Sequence, residues 1–371
     1  MDPTKVFCHN PNCLASGKLG LKNIGVHSII QSRYICHICG KTFTDTKGTV
    51  FYRLKYSEQF VTIITLLAFG CPTTAIVKAF GLDERTVADW QCRAGIHCQK
   101  VHQHLVQQPH DLGQIQADEI RVKHQGGIAW LAMAIAVSTR LWLGGVVSAC
   151  RDADLIMSLI EQVRSCVLYR PLLFCVDGLI TYVSVIQKVF AIPILNGKRG
   201  RPCLKAWENL CIVRVIKQVS SKRAVGITQR IACGTWKQAC LLIKHTQNTS
   251  RPNAHTAYIE RINGTFRSRI TALVRRGRSL VRQLVTLRNG MYLVGTVYNF
   301  CTPHKSLRKV LYLPANSHRW IPMTPAMAIG ITDHVWTVRE LLSYQVPLPP
   351  WKLPRGRPSK RMKELINRWN L

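Results

Sequence analysis

Two carboxylates stand inside apolar segments of a chain that has few acidic residues. The 371 residues include 51 Lys and Arg but only 18 Asp and Glu. Asp118 lies within the segment QIQADEI, and Asp177 ends the apolar run LLFCVD. Two carboxylates that converge repel each other unless a divalent cation joins them. Because hard oxygen ligands with open positions suit Mg²⁺, or Mn²⁺ in its place, we expect a catalytic metal site at these two residues.

A third carboxylate ligand is expected from a later helix. Between Asp177 and Asp333 the acidic residues are Glu208 and Glu260. Glu208 precedes a predicted strand, whereas Glu260 lies in a helical pattern, so we favour Glu260. The alternative for the whole set is that these acids cap helices or pair with arginine.

The helix that carries Glu260 also carries other polar groups on the same face. Asn263 and Arg267 follow at three and seven residues, so a carboxylate, an amide and a guanidinium line up. Such a face suits a metal and an adjacent phosphate. Glu119, in contrast, alternates to the other strand face from Asp118 and is not expected to be a ligand.

The elements that must position these acids follow one another in a definite order. Three strands are predicted first, then a helix, a short apolar strand and a second helix. Their ranges are 114–122, 128–137, 141–150, 152–167, 171–177 and 179–190. This order resembles that of a ribonuclease-H-like catalytic core, in which the first and fourth strands are neighbours. Asp118 and Asp177 are therefore expected to meet at one point of the sheet.

Four cysteines near the N-terminus have the spacing of a metal site. They form two short pairs separated by a loop, Cys8 with Cys13 and Cys36 with Cys39. Two such pairs surround one Zn²⁺ tetrahedrally, so we predict a closed structural site in a zinc ribbon. His9 and His37 lie beside ligand cysteines and could substitute for one. Buried free cysteines are the alternative to a metal site.

Three helices with a glycine-bearing turn are predicted after the cysteines, which is the pattern of a helix-turn-helix DNA-binding domain. The third helix is expected from Glu84 to about Val106, with Asp83 as its cap. Its predicted DNA-binding residues are Arg85, Thr86, Trp90 and Arg93. The alternative is a three-helix scaffold that reads no sequence.

The charge of the chain indicates its partner. A formal net charge of +33 repels itself in a compact fold unless a polyanion neutralises it. Double-stranded DNA is the expected partner, through phosphate contacts. A membrane surface is disfavoured, because no basic amphipathic helix dominates and the apolar stretches are too short to span a bilayer. With 15 cysteines read as metal ligands or buried thiols, we expect a cytoplasmic, DNA-associated protein.

Two later segments resemble the end of the catalytic core of DDE integrase-like transposases. These are ERINGTFR at 260–267 and YNFCTPHKSL at 298–307, and TPAMA at 324–328 is also similar to this group. A zinc ribbon and a helix-turn-helix ahead of the core resemble bacterial insertion-sequence transposases. The resemblance covers nearly the whole chain, from Cys8 to about Leu342.

This resemblance implies roles for particular residues. Asp118, Asp177 and Glu260 would be the metal-binding triad. In this chain 83 residues separate Asp177 from Glu260, whereas many integrase-like cores have a short gap there. Residues 191–250 are therefore expected to be an insertion.

Further basic residues are predicted to bind DNA. The segment PRGRP at 354–358 resembles an AT-hook, in which Arg355 and Arg357 would lie in a narrow minor groove; a solvated basic tail is the alternative. The same core recurs in KRGRP at 198–202. Residues of the glutamate helix and the segment after it are expected to contact DNA: Asn263, Arg267, Arg269, Arg275 and Arg276.

Together these patterns predict a multidomain α+β protein. Its domains would be a zinc ribbon at 1–55, a helix-turn-helix at 56–110, a ribonuclease-H-like α/β catalytic core at 111–310 and a C-terminal region with a basic tail at 311–371. The predicted function is a transposase that binds the terminal repeats of a mobile element and cleaves and joins DNA, as a homodimer or larger assembly. The alternatives are a domesticated transposase acting as a non-catalytic DNA-binding regulator, and a nuclease with the same core.

Overall fold

The chain folds into two units, each with its own core. The computed structural model describes residues 1–194, 203–220, 223–274, 280–312, 318–349 and 359–369. One unit joins Met1–Gln59 to Leu342–Leu371, and the other is Phe60–Leu341. The helices predicted as a separate DNA-binding domain thus belong almost entirely to the unit that contains the large sheet, and the C-terminal segment belongs with the N-terminal residues.

The elements are numbered in chain order. The helices are α1 (Ser57–Ala68), α2 (Thr73–Phe80), α3 (Glu84–Leu105), α4 (Ala153–Ser165), α5 (Ile180–Val189), α6 (Trp236–Gln247), α7 (Ala257–Arg269), α8 (Leu284–Cys301), α9 (Pro325–Ala328), α10 (Val338–Ser343) and α11 (Lys360–Trp369). The strands are β1 (Ile24–Ser28), β2 (Arg33–Cys36), β3 (Thr42–Thr44), β4 (Gln114–His124), β5 (Gly127–Ala136), β6 (Trp142–Ser148), β7 (Leu172–Val176), β8 (Ala191–Ile194), β9 (Cys203–Ala206), β10 (Leu210–Ser220), β11 (Arg223–Cys233), β12 (Lys309–Tyr312) and β13 (His318–Ile321).

The smaller unit is built on an antiparallel sheet of three short strands, β1-β2-β3. Tyr34 and Phe43 stack across β2 and β3 with ring centroids 5.8 Å apart and form a small core with the four cysteines. The C-terminal segment is tied to this unit by a hydrogen bond that the Gln345 side chain donates to the Asp45 carbonyl at 2.8 Å. So small a core is expected to need a further stabilising element such as a metal.

The helices α1, α2 and α3 match the ranges predicted from the sequence, 56–69, 73–80 and 84 to about 106, within one residue at each end. Gly81 ends α2 with a φ of 62°, a left-handed conformation that costs glycine little. Asp83 caps α3 as predicted, and its side chain accepts from the Arg85 backbone N–H at 2.7 Å. The C-terminal half of α3 packs closely on α8, because a Cβ at Gly95 would lie 2.5 Å from the Asn289 carbonyl oxygen.

A mixed six-stranded sheet forms the centre of the larger unit, in the order β11-β10-β7-β4-β5-β6. The strands β4, β5 and β6 form the predicted antiparallel meander. β7 runs parallel to β4, with Val176 opposite Ala117. The prediction that the strands of Asp118 and Asp177 are neighbours is therefore confirmed.

Helices cover both faces of the sheet around β7, which is why that strand is apolar throughout. Leu172, Phe174 and Val176 face a core that includes residues of α4 and α5. Leu173 and Cys175 point to the other face and pack with residues of α6. The alternation buries every side chain of the strand and fixes where Asp177 emerges at its end.

The segment predicted as an insertion is largely part of this sheet. β10 pairs in parallel with β7, and β11 adds an antiparallel edge strand. Residues 191–250 thus contribute to the core of the larger unit, because β10 joins the sheet beside β7 and α6 covers one of the sheet's faces. The paired strands β8 and β9 form a separate two-stranded sheet.

The helix α8 was not predicted and is buried almost all round. Its Asn299 side chain accepts from the Trp142 backbone N–H and donates to the Trp142 carbonyl, both at 2.9 Å. The Tyr298 hydroxyl donates to the Arg140 carbonyl at 3.1 Å. The YN pair of the segment 298–307 thus anchors α8 to the turn between β5 and β6 and to the start of β6.

None of the helices in the described segments is both long enough and apolar enough to cross a lipid bilayer.

Candidate functional site

A row of polar side chains on one face of β4 organises the site. Gln114, Gln116 and Asp118 are spaced by two residues and therefore point to the same side of the sheet. Gln114 is fully buried, and its amide oxygen accepts from Thr246 and Gln247 at 2.9 and 3.0 Å. This end of the row holds α6 in place. Neither glutamine was among the predicted site residues, although the pattern QxQxD in a buried strand signals them.

Gln116 holds the start of α7. Its amide oxygen accepts from the backbone N–H groups of Tyr258 and Ile259, both at 3.0 Å, and its amide nitrogen donates to the His255 carbonyl at 2.6 Å. The first N–H groups of a helix have no partner within the helix, so a buried amide satisfies them at low cost. The same contact fixes α7 beside Asp118.

Asp118 is the third member of the row and receives a hydrogen bond from α7. The Asn263 amide donates to Asp118 Oδ2 at 2.8 Å. Asn263 is only 1% exposed. The structure therefore gives Asn263 a different role from the predicted DNA contact, because its buried amide orients the carboxylate.

The carboxylates of Asp118, Glu119 and Asp177 meet at the end of β7, with one oxygen from each within 4.8 Å of the others. The convergence of Asp118 and Asp177 is as predicted. Glu119 was excluded because its side chain alternates to the other face of β4. Its oxygen nevertheless lies within this group, so Glu119 joins Asp118 and Asp177 as a candidate ligand.

Arg151 partly neutralises this cluster. Its guanidinium lies 3.1 Å from Glu119 Oε2 and 3.8 Å from Asp177 Oδ2, and it rests on the Trp130 ring at 4.9 Å. The Tyr182 side chain, also buried, interacts with Glu119 from α5. One arginine thus pairs with two of the three carboxylates, and the cluster keeps an excess of negative charge.

The excess charge and the burial act on Asp118. Burial, followed by repulsion from Glu119, Asp177 and Glu260, raises the pKa of Asp118 to about 6. Glu119 Oε1 is buried and has no hydrogen-bond partner. Crowded carboxylates and an unsatisfied oxygen are the features that a hard divalent cation would satisfy, so the donor set fits Mg²⁺ or Mn²⁺.

Glu260 lies on α7 near this cluster but outside the group of oxygens within 4.8 Å. Its Oε1 accepts from Lys217 Nζ at 2.5 Å and from the Thr256 hydroxyl at 2.8 Å. Burial raises its pKa, but these two hydrogen bonds outweigh burial and leave the pKa below its ordinary value. Its role as the third ligand stays a prediction, and Glu208 is exposed and paired with Lys205.

The four N-terminal cysteines converge as predicted. Cys8 Sγ lies 3.7 Å from Cys39 Sγ, and Cys13 Sγ lies 3.9 Å from Cys36 Sγ. Sulfurs at the corners of a zinc tetrahedron with 2.3 Å bonds stand about 3.8 Å apart. The cluster is therefore compatible with a zinc site. Asn23 donates to Cys36 Sγ at 3.3 Å, which suits a thiolate ligand.

The predicted DNA-binding residues of α3 divide by exposure. Arg85 is exposed at the start of the helix, and Thr86 and Arg93 are half-buried. Trp90 is 6% exposed and packs edge-on against Phe60, with ring centroids 5.3 Å apart. Its predicted contact with DNA is wrong, because the ring belongs to the core between α1 and α3.

The basic residues of α7 and beyond are only partly described. Arg267 is half-buried, and Arg269 stacks on Phe69 at 4.6 Å. The remaining predicted DNA-binding residues lie outside the described segments: Arg275, Arg276, Arg355 and Arg357. The repeated basic core at 198–202 also lies outside them.

Comparison of the chain with protein-family models and with curated protein sequences found no match.

Proposed function

We propose that this protein is a DNA transposase that cleaves and joins DNA by metal-dependent phosphoryl transfer. The observation that carries the proposal is the convergence of the Asp118, Glu119 and Asp177 carboxylates at one edge of the sheet. The α7 residues Asn263 and Glu260 stand beside them. A chain with only 18 acidic residues gathers four of them at this place.

The sheet supports the proposal. An antiparallel meander followed by parallel strands, with the first strand beside the fourth, is the arrangement expected of a ribonuclease-H-like core. Fold alone does not define function, so the weight rests on the carboxylates at the edge where β4 and β7 meet.

The charge supports DNA as the substrate. The net charge of +33 makes a polyanion the expected partner, and phosphate contacts would supply most of the affinity. The cysteine cluster and the α1–α3 helices would form the part that recognises the ends of the element. Joining two ends requires two active sites, so we expect a homodimer or larger assembly on DNA.

The residues of this chain would divide the work at the site. Asp118 and Asp177, with Glu260 or Glu119, would hold divalent cations. When bound, such ions stabilise the attacking and leaving oxygens of an in-line displacement at phosphorus.

The neighbouring residues prepare these ligands. Asn263 keeps one Asp118 oxygen in a fixed direction through its 2.8 Å hydrogen bond. Lys217 keeps Glu260 ionised, and Arg151 keeps Glu119 and Asp177 together.

The proposal is tested with purified protein, Mg²⁺ and labelled duplexes taken from the DNA that flanks the coding sequence. Strand-specific nicking and joining are followed on denaturing gels. We expect Asp177→Asn to lose both activities by at least about 100-fold, since even residues that only support metal ligands cost 10- to 100-fold. Asp154→Asn, an exposed acid at the start of α4, is the matched control and should keep them.

Two further variants identify the third ligand. Glu260→Gln should abolish activity while Glu119→Gln retains most of it, if the triad is as predicted; the reverse result would assign the ligand to Glu119. Asp177→Asn with unchanged cleavage would overturn the metal site. Tight DNA binding by the parent without nicking or joining would favour a DNA-binding regulator, and nicking without joining would favour a nuclease.

A further inference from the structure

A pocket lined in part by arginines lies on the side of α7 away from the carboxylates. It has a volume of about 170 Å³, room for roughly five waters. α7 and α8 contribute to its walls, together with the turn between β5 and β6. The side chains that matter here are Arg140, Tyr258, Arg261, Arg269, Tyr298 and His304.

Three guanidinium groups converge on this pocket without a carboxylate to balance them. Among the described residues, no ion pair joins Arg140, Arg261 or Arg269 to an acidic side chain. Arg269 Nη1 is buried and has no hydrogen-bond partner. Burial and then the charges of Arg140 and Arg261 lower the pKa of His304. A cluster of like charges with an unsatisfied donor is a place where an anion would be stabilised.

The pocket also has an aromatic wall. The Arg140 guanidinium lies 3.8 Å from the centre of the Tyr258 ring, which holds it flat against the pocket. The Tyr298 hydroxyl donates to the Arg140 carbonyl at 3.1 Å and fixes the turn that carries it. A guanidinium held in this way loses little further freedom when it binds a phosphate.

The two sides of α7 face two different sites. Tyr258, Arg261 and Arg269 fall on the pocket side, whereas Glu260 and Asn263 fall on the carboxylate side. An α-helix with its side chains is about 10–12 Å across. Successive phosphates of one strand of duplex DNA advance by about 3.4 Å along the axis, so the sites are a few nucleotides apart.

We propose that this pocket binds a backbone phosphate of the same DNA strand, a few nucleotides from the phosphate that lies at the carboxylates. Arg261, exposed on α7, meets the phosphate first, and Arg140 and Arg269 complete the contact from the walls. The proposal rests on the DNA-binding part of the proposed function and needs no cleavage. It makes α7 a bridge that holds the strand on one side and the metal ligands on the other.

Salt dependence of DNA binding tests the pocket. Equilibrium binding of the full chain to a duplex is measured across salt concentrations in magnesium-free buffer. For Arg261→Gln we expect the slope of log K against log salt to fall by about 0.9, the value for one lost phosphate contact. Arg261→Lys should keep the slope. Arg170→Gln removes an exposed arginine just before β7, at the opposite end of that strand from Asp177, and should also keep it.

A second arm separates a DNA phosphate from a free anion. The melting temperature of the parent and of Arg261→Gln is measured with inorganic phosphate and with a deoxynucleoside monophosphate. Equal slopes for Arg261→Gln, Arg170→Gln and the parent would overturn the proposal. If these slopes are equal and inorganic phosphate stabilises only the parent, the pocket takes a free anion instead.

The salt-dependence measurement is independent of the cleavage assay. Asp177→Asn should keep the full salt slope even though it loses cleavage. If the protein does not cleave DNA, Arg261→Gln can still reduce the salt slope. If the protein does cleave DNA, Arg261→Gln can leave the slope unchanged.

Discussion

Asp118 shows how one residue can serve the proposed chemistry at the expense of stability. It is buried beside Glu119, Asp177 and Glu260, and its pKa is raised to about 6. Its folded-state pKa lies above the unfolded value of 3.8, so the folded chain holds this proton more tightly than the unfolded chain. The contribution of Asp118 to the free energy of unfolding is therefore highest below pH 4 and is lost as the pH rises through about 6.

We expect Asp118→Asn to stabilise the protein in magnesium-free buffer. At pH 7 the gain should approach about 3 kcal/mol, because a shift of roughly two pKa units corresponds to that free energy. At pH 4 the gain should fall to less than about 1 kcal/mol, because the folded carboxyl is then protonated. Urea unfolding at both pH values measures the difference, with Asp154→Asn as the control.

The same site provides a second comparison for Asp118→Asn. Mg²⁺ should raise the melting temperature of the parent and leave that of the variant unchanged. A variant that is less stable than the parent at every pH would contradict the electrostatic account of the site.

Residue-level prediction worked where position along a strand was enough. Asp118 and Asp177 could be found from acids within apolar strands. Glu119 could not, because the two-residue alternation says which face a side chain leaves from and not how far a carboxylate reaches around the end of a neighbouring strand. The DNA contact predicted for Trp90 was wrong for a related reason. A helical pattern does not show which side of α3 will be covered by another residue, here Phe60.

At the scale of elements, one face of β4 both attaches two helices to the sheet and places a carboxylate in the candidate site. Gln114 and Gln116 attach α6 and α7 to the sheet, and Asp118 continues the same row into the site. The position of α7, and with it that of Asn263 and Glu260, therefore depends on a side chain two residues from Asp118.

We expect Gln116→Leu to loosen the start of α7. The change leaves two backbone N–H groups and one carbonyl without their buried partner, at a cost of about 2–4 kcal/mol. Gln187→Leu, an exposed glutamine on α5, is the matched control. Hydrogen exchange of the α7 amides should speed up in the first variant alone; unchanged exchange would show that other contacts hold the helix.

The elements that were predicted from the sequence differ in their polar patterns from those that were missed. The α1–α3 helices and the β4–β7 strands have clear periods and caps, and their positions were correct within a few residues. α8 has 13 buried residues of 18 and no polar face from which a helical period could be seen. α6 could have been found, because Thr235 and Gln238 form a capping box.

At the scale of the molecule, the two units have different sources of stability. The larger unit has an extensive apolar core on both faces of its sheet. The smaller unit has a cluster of few apolar residues around four cysteine sulfurs. Sequence boundaries placed at changes of pattern could not reveal that residues 342–371 return to the N-terminal unit, since that pairing is a long-range contact.

We expect Cys36→Ser to reduce the zinc content of the chain from one per molecule to near zero. Structural zinc supplies about 10–16 kcal/mol of binding free energy in small folds, so the smaller unit should unfold when zinc is lost. The melting transition of the larger unit should remain. Cys150→Ser, an exposed cysteine, is the control. A full zinc complement in Cys36→Ser, measured by metal analysis, would rule out the four-cysteine site.

The return of residues 342–371 to the N-terminal unit sets an order in time. The cysteines leave the ribosome early, but the segment that completes their unit follows only after roughly 280 further residues. At about 5–20 residues per second, that delay is about 15 to 60 s. The larger unit is therefore fully synthesised before the smaller one can close, and a nascent chain of this protein exposes its cysteine cluster in an incomplete unit while the sheet folds.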